Sequence, residues 1–119
     1  MQVTIHHSGI VIPITQNIKC TDVGVLYLLS CTKAFCRKQY IGETGRPVYL
    51  WFKDHLDSAE DPLTTTPVGQ HFQSPGHTKA DMELVPFEKV YGDSATRKQR
   101  ERHFINIYNL ITHGLNKKL

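Results

Sequence analysis

Two tyrosines are the side chains whose type and spacing most clearly suggest chemistry. Tyr27 lies in a continuously apolar segment, and Tyr40 lies in a shorter segment that follows it. If the two segments pair as a hairpin, both phenols reach the same spot and need hydrogen-bond partners there. The alternative is a pair of core tyrosines that bond to the backbone.

A carboxylate, Glu101, is expected on the core-facing side of a late helix. It shares that helix face with Ile105 and Tyr108, at positions i+4 and i+7. A carboxylate so placed needs a partner or a cation. Mg²⁺ would suit it, because this ion is held by few carboxylates together with waters and phosphate oxygens. The alternative is an ion pair with a neighbouring basic residue: Arg97, Lys98 or Arg100.

Two cysteines and two histidines form a second set. Cys31 and Cys36 lie between the two tyrosine segments, and His71 and His77 follow after about 34 residues. Such thiolate and imidazole pairs are the usual ligands of a closed tetrahedral Zn²⁺ site. A metal would also order two long polar loops in a small domain. The alternative has the cysteines as small apolar fillers and the histidines on the surface.

Composition and charge limit the class of protein. The chain has 119 residues, of which 39% are hydrophobic, and a net charge of +3, which fits one folded domain. The longest apolar stretch is far too short to cross a bilayer, and no signal peptide is recognisable. An intracellular protein that is not secreted is therefore expected. An odd count of three cysteines argues against a disulfide framework.

Basic residues gather in one late stretch, which contains Arg97, Lys98, Arg100 and Arg102. Such a cluster could neutralise phosphates and give salt-dependent binding to nucleic acid. The alternative is the solvated face of a helix.

The elements that position these residues follow from periodicity and turn signals. Strands are expected over residues 3–5, 10–14, 23–29, 39–43 and 82–90. Helices are expected over 47–59, after Thr66, and over 95–112, with Asp93 or Ser94 as N-cap and Gly114 as a left-handed residue beyond the end. Pro13 and Pro86 favour sheet edges. The order describes one α+β domain.

Four motifs in this order resemble the GIY-YIG endonucleases, over about Val23 to Asn116. They are Gly24-Val25-Leu26-Tyr27, Tyr40-Ile41-Gly42-Glu43-Thr44, Glu101, and Gly114-Leu115-Asn116. The resemblance implies a small mixed or antiparallel sheet flanked by helices. Residues 21–119 would then form the nuclease core of a single domain, and residues 1–20 an N-terminal β extension.

The resemblance also implies a mechanism of phosphodiester hydrolysis. One Mg²⁺ or Mn²⁺ ion on Glu101 would stabilise the scissile phosphate, and Tyr27 or Tyr40 would orient or deprotonate the attacking water. His55 matches a family histidine that could relay protons, and Asn116 matches an asparagine that supports the site. The residues expected to bind DNA are Arg46, Lys53, Arg97, Lys98 and Arg100.

One position departs from the family pattern. The family carries an arginine one helical turn before the histidine, where it grips the phosphate, and this chain has Trp51 there. An indole offers one donor and no charge. Arg46 or Lys53 could reach the phosphate, although neither lies at the motif position. Loss of such a contact typically slows a reaction by about 100-fold or more.

The Cys-Cys-His-His set points to one particular group of these endonucleases. Together with residues 40–47 and Gly76-His77-Thr78, it is similar to the endonuclease domain at the C-terminal end of Penelope-like retroelement polyproteins. This likeness implies nicking of target DNA so that a reverse transcriptase can prime from the freed 3′ end. It also implies a reverse-transcriptase domain in the same polyprotein, a structural zinc and a nuclear location. Two other functions stay open: a catalytically degenerate, zinc-stabilised DNA-binding domain, and a zinc-stabilised protein-interaction domain.

Overall fold

The computed structural model describes residues 2–116, so the outer limits of the expected domain, at residues 1 and 119, lie outside the described residues. The chain is a small α+β protein with antiparallel sheets flanked by helices. The strands are β1 (Gln2–Ile5), β2 (Ile10–Pro13), β3 (Val25–Cys31), β4 (Gln39–Thr44) and β5 (Met82–Lys89). The helices are α1 (Val48–Glu60), α2 (Pro67–Phe72), α3 (Ser94–Ile107) and α4 (Leu110–His113), and a 3₁₀ turn spans Lys79–Asp81.

The central strand is β3, which pairs in antiparallel fashion with β4 on one side and β5 on the other. Every residue of β3 is buried, as its continuous apolar run predicts. The strand begins at Val25 rather than at Val23, because Gly24 turns the chain at φ +68 and leaves Val23 57% exposed. β5 lies at the sheet edge, and its register against β3 shifts beside Pro86, between Leu26 and Tyr27, an irregularity that suits a residue without an N–H.

The sheet is covered on both faces. One face packs α3 and the β1–β2 hairpin over a core of aliphatic and phenylalanine side chains: Val3, Ile5, Leu26, Leu28, Ile41, Phe87, Phe104 and Ile105. The other face packs α1 and α2 over Tyr27, Leu29, Cys31 and Phe72. Alternation along β3 therefore divides its side chains between two layers, and Tyr27 belongs to the layer beneath α1.

The N-terminal hairpin, β1 and β2, packs into the main core. Val3 and Ile5 are buried in the first core. The side chain of Gln39 links the hairpin to β4, since it accepts a hydrogen bond from the backbone N–H of His6 and donates one to the Thr4 carbonyl, each at 2.9 Å. Gly9 supplies the turn with φ +75.

The last helix differs from the single run expected over residues 95–112. Asp93 caps its start and accepts a hydrogen bond from the Thr96 N–H at 2.9 Å, as expected. The helix then ends at Ile107, because Asn109 adopts a left-handed conformation (φ +54) and a separate short helix follows. Gly114 was also expected to be left-handed, and this was wrong: its φ is −130. The chain is extended there because the Leu115 N–H pairs with the Gln39 carbonyl of β4.

Within residues 2–116, no helix combines the length and the apolar character that crossing a membrane requires.

Candidate functional site

The two motif tyrosines lie side by side on the same face of the sheet. Tyr27 of β3 stands opposite Gly42 of β4, and Tyr40 stands opposite Leu29, so the two phenols are diagonal neighbours. Their ring centroids are 6.4 Å apart. Gly42 is required for this arrangement, because a Cβ at that position would collide with the Tyr27 ring and hydroxyl.

Helix α1 brings two further side chains onto the Tyr27 hydroxyl. The hydroxyl oxygen lies 2.8 Å from His55 Nε2 and accepts a hydrogen bond from Trp51 Nε1 at 2.5 Å. The hydroxyl accepts from the indole, and His55 Nε2 is its one other polar contact among the described residues, so the hydroxyl proton of Tyr27 is directed at His55 Nε2. His55 therefore accepts at Nε2 and carries its own proton on Nδ1.

Burial decides the protonation of this cluster. Desolvation raises the pKa of Tyr27 well above its ordinary value, and burial, followed by the charges of Glu101 and Glu43, raises the pKa of Tyr40 to about 12. Burial lowers the pKa of His55 to about 4, against an opposing effect of Asp54. At neutral pH all three side chains are uncharged.

Glu101 of α3 approaches the same cluster from beyond the β4 edge, close enough that its charge raises the pKa of both tyrosines. Burial, and then the neighbouring Glu43 carboxylate, raises the pKa of Glu101 to about 7. The alternative, an ion pair between Glu101 and Arg97, does not form. Arg97 Nε instead donates to Glu43 at 3.0 Å, which leaves Glu101 without a salt bridge among the described residues.

Asn116 supports this site from behind. It is only 4% exposed, its Oδ1 accepts from the Ile41 N–H at 3.0 Å, and its Nδ2 donates to the Ile41 carbonyl at 2.9 Å. The side chain thereby replaces a neighbouring strand at the edge of β4. Ile41 lies between Tyr40 and Gly42, so Asn116 holds the backbone that positions the tyrosine pair.

The basic residues expected to bind DNA are mostly engaged in ion pairs. Arg100 forms a two-pronged contact with Glu88 at 2.7 and 3.0 Å, and Lys53 pairs with Asp57 at 2.8 Å. The remaining pairs are Arg46 with Asp54 and Arg97 with Glu43. Among these five residues, Lys98 is exposed and has no carboxylate partner within residues 2–116. A nucleic acid would compete with these internal carboxylates.

The cysteine and histidine pairs meet in a group that could hold a metal ion. One ligand atom from each of Cys31, Cys36, His71 and His77 lies within 4.8 Å of all the others. The Cys36 sulfur is 3.4 Å from His71 Nε2. Donors around one tetrahedral zinc ion are separated by about 3.3–3.8 Å, so only a small contraction is required. The prediction that these four side chains lie together is confirmed.

The environment of His77 also fits a metal ligand. Its Nδ1 lies 3.2 Å from the Pro75 carbonyl and 3.0 Å from Ser74 Oγ. Because a carbonyl only accepts and the Ser74 hydroxyl already donates to the His71 carbonyl, both contacts favour a proton on Nδ1 and a lone pair on Nε2. Nε2 is buried and has no hydrogen-bond partner among the described residues. A buried acceptor of this kind costs free energy unless something binds it.

Asp81 joins the two loops that carry these ligands. Its carbonyl accepts from the Thr32 N–H at 2.8 Å, and its carboxylate pairs with Lys33 at 3.4 Å. The same carboxylate caps the 3₁₀ turn by accepting from the Thr78 N–H at 2.8 Å. This role was not predicted from the sequence, although Asp81 three residues after Thr78 is a capping-box signal.

The hydrogen bond from Trp51 to Tyr27 was not predicted from the sequence either, because Trp51 stood out only as a departure from the motif.

Comparison of the chain with protein-family models, curated proteins and solved structures finds no match.

Proposed function

We propose that this chain is a GIY-YIG-type DNA endonuclease domain, in which a divalent ion assists hydrolysis of a phosphodiester bond. The observation that carries the proposal is the convergence of Tyr27, Tyr40, His55 and Glu101 from four different elements onto one patch. The motif resemblance supplies the reaction class. The geometry supports the proposal, because it brings two phenols, an imidazole and a carboxylate together on one patch.

Glu101 is the residue that would hold Mg²⁺ or Mn²⁺. Its carboxylate is half-buried, its pKa is raised to about 7 by burial and by Glu43, and Arg97 is committed to Glu43 instead. A bound cation would stabilise the negative charge of such a partly buried carboxylate. When bound, the ion would stabilise charge on the scissile phosphate and on its leaving oxygen.

Tyr40 is the tyrosine that we assign to the attacking water. The Tyr27 hydroxyl is occupied by Trp51 and His55, whereas the Tyr40 hydroxyl has no hydrogen-bond partner among the described residues. Tyr40 is neutral at pH 7 because its pKa is about 12, so it orients water rather than acting as a strong base. The His55 and Tyr40 rings lie 5.9 Å apart, measured between their centroids, and His55 would take up a proton from this side only after the Tyr27 hydroxyl turns away from its Nε2.

For the Cys-His group, we propose a structural Zn²⁺ ion. Two sulfur and two nitrogen donors are the set that zinc prefers in closed sites. The buried and unpaired His77 Nε2 supports an ion at this position. Its contribution would be to hold the 31–38 loop against the 73–81 loop, next to the end of the tyrosine strand β3.

A plasmid-nicking assay with Mg²⁺ or Mn²⁺ tests the cutting activity. The parent protein should nick supercoiled DNA, Glu101→Gln should lower the rate at least 100-fold, and Glu83→Gln, which alters an exposed glutamate of β5, should nick like the parent. Trp51→Arg should raise the rate, since it restores a cation beside the phosphate. Equal rates for the parent and Glu101→Gln would refute cutting by this sequence.

A catalytically degenerate DNA-binding domain is the second candidate, and one observation favours it. The Trp51 indole, at the position of the family arginine, donates to Tyr27 and so fills the space beside the tyrosine with an uncharged ring. In the same assay, nicking by Trp51→Arg but not by the parent would select this candidate. If a gel shift over a salt series detected no DNA binding at all, a zinc-stabilised protein-interaction domain would be the remaining function.

The biological setting is proposed from the resemblance alone. A domain of this kind would nick chromosomal DNA for target-primed reverse transcription, as part of a polyprotein with a reverse-transcriptase domain, and would act in the nucleus. Priming of DNA synthesis from the nicked strand by the joined domains would test this assignment.

A further inference from the structure

One exposed arginine lies directly beside the tyrosine cluster. The Arg46 guanidinium carbon is 5.8 Å from the centroid of the Trp51 ring, and the indole nitrogen of that ring bonds to the Tyr27 hydroxyl. The backbone of Arg46 is held in place because its N–H donates to Thr44 Oγ1 at 3.0 Å. The guanidinium is therefore one ring away from the hydroxyl, at the start of α1.

The partner of Arg46 is easily exchanged. Arg46 Nη1 lies 2.9 Å from Asp54, and the two side chains are 52% and 47% exposed. Exposed pairs of this type contribute little to stability, and salt screens them further. By contrast, the Arg97–Glu43 pair is only 16% and 14% exposed, and Arg100 is held by two hydrogen bonds to Glu88.

We propose that Arg46 and Asp54 form an exchangeable phosphate clamp, in which Arg46 leaves Asp54 to bind a backbone phosphate of DNA while it rests on the Trp51 ring. This inference rests on the proposed DNA-binding function. A guanidinium fork matches the geometry of phosphate oxygens and also stacks on aromatic faces. Asp54 competes with the phosphate for Arg46 and so lowers the affinity for DNA. The Trp51 ring is the surface on which the guanidinium stacks.

The clamp predicts a specific pattern of DNA binding. Affinity for a short duplex is measured over a salt series with Ca²⁺ in place of Mg²⁺, so that no cutting is needed. Arg46→Ala should reduce the slope of log affinity against log salt by about 0.9, the value for one phosphate contact, and Arg46→Lys should keep most of the slope. Asp54→Asn should tighten binding by up to about fivefold, the range of an exposed ion pair. That gain should disappear when Asp54→Asn is combined with Arg46→Ala.

A matched pair at the other end of α1 provides the control. Lys79 pairs with Glu60, and both are about as exposed as Arg46 and Asp54, so Lys79→Ala and Glu60→Gln change the same charges away from the tyrosine cluster. They should leave the salt slope unchanged. Thermal unfolding of each variant verifies that the fold is intact.

Two results would overturn the clamp: an unchanged slope for Arg46→Ala, or an equal gain from Asp54→Asn with and without Arg46. Both concern binding alone, so they are distinguishable from a failure to cut. A parent that binds DNA but does not nick it would refute the endonuclease function. The clamp would then still be tested by comparing the salt slopes of the parent and Arg46→Ala. A parent without salt-dependent DNA binding would refute both.

Discussion

Trp51 donates its only N–H to the Tyr27 hydroxyl, at 2.5 Å. The contact ties helix α1 to the central strand β3 through a buried polar atom, and the same hydroxyl lies 2.8 Å from His55 Nε2. Tyr27 is 1% exposed. It is therefore a structural centre of the site.

Removal of the Tyr27 hydroxyl should destabilise the protein. Tyr27→Phe leaves the Trp51 N–H and His55 Nε2 without their partner, and we expect a loss of about 1–3 kcal/mol in the free energy of unfolding. Urea unfolding followed by circular dichroism measures it. Tyr91→Phe is the control, because Tyr91 is 81% exposed and should change nothing. A loss for Tyr27→Phe no larger than that of the control would contradict the hydrogen-bond geometry.

The lowered pKa of His55 predicts a pH-dependent stability. Because burial brings it to about 4 from the usual 6.5, the unfolded chain binds more protons between those values, and this contribution to stability is lost as the pH falls from 6.5 to 4. Glu101, with a pKa raised to about 7, acts with the opposite sign between pH 4.5 and 7. The difference between the parent and His55→Gln therefore isolates His55.

Free energies of unfolding at half-unit pH intervals should show a parent-minus-variant difference that shrinks from pH 6.5 to 4. The measurement requires the same metal load in both proteins, since His71 titrates as well. Gln99→Ala, which alters an exposed residue of α3 and removes no titratable group, should give a flat difference. A flat difference for His55→Gln too would mean that its imidazole is not desolvated.

Loss of one Cys-His ligand should remove the metal and loosen the fold. We expect the purified parent to carry about one zinc ion per chain and Cys36→Ser to carry almost none, with a lower melting temperature. Elemental analysis and thermal unfolding measure the two effects. Cys20→Ser is the matched control, because Cys20 is an exposed free thiol outside the group. Absence of zinc from a parent with fully reduced thiols would exclude a zinc site.

Asn116 should matter for stability out of proportion to its position near the C-terminus. Asn116→Ala leaves both backbone groups of Ile41 without partners at the β4 edge, and we expect a loss of about 2–4 kcal/mol. Hydrogen exchange at the Ile41 amide should accelerate in parallel. Asn106→Ala, on the exposed side of α3, serves as control. Unchanged protection of the Ile41 amide would show that Asn116 does not close the strand edge.

Much of the fold follows from local patterns. The apolar run before Ser30, the turn residues around Gly9 and Gly45, and the Asp93 cap act over a few residues, so they predict the strands and helix starts without tertiary information. The points where the last helix is interrupted and where it ends were harder to predict. Asn109 is left-handed and follows the end of α3. Gly114 is extended because the Leu115 N–H pairs with the Gln39 carbonyl of β4, a contact between residues far apart in sequence.

The sequence by itself determined the ligand types, the order of the motifs and the alternation that places Tyr27 and Tyr40 on one sheet face. It also determined that position 51 carries an uncharged indole, because residue chemistry is independent of folding. Only the tertiary structure decided which partner each group has. Arg97 forms its ion pair with Glu43 rather than with Glu101, and Arg46 pairs with Asp54. The indole of Trp51 donates its hydrogen bond to the Tyr27 hydroxyl. Pairings of this kind depend on distances of a few ångströms between separate elements, which no local sequence pattern encodes.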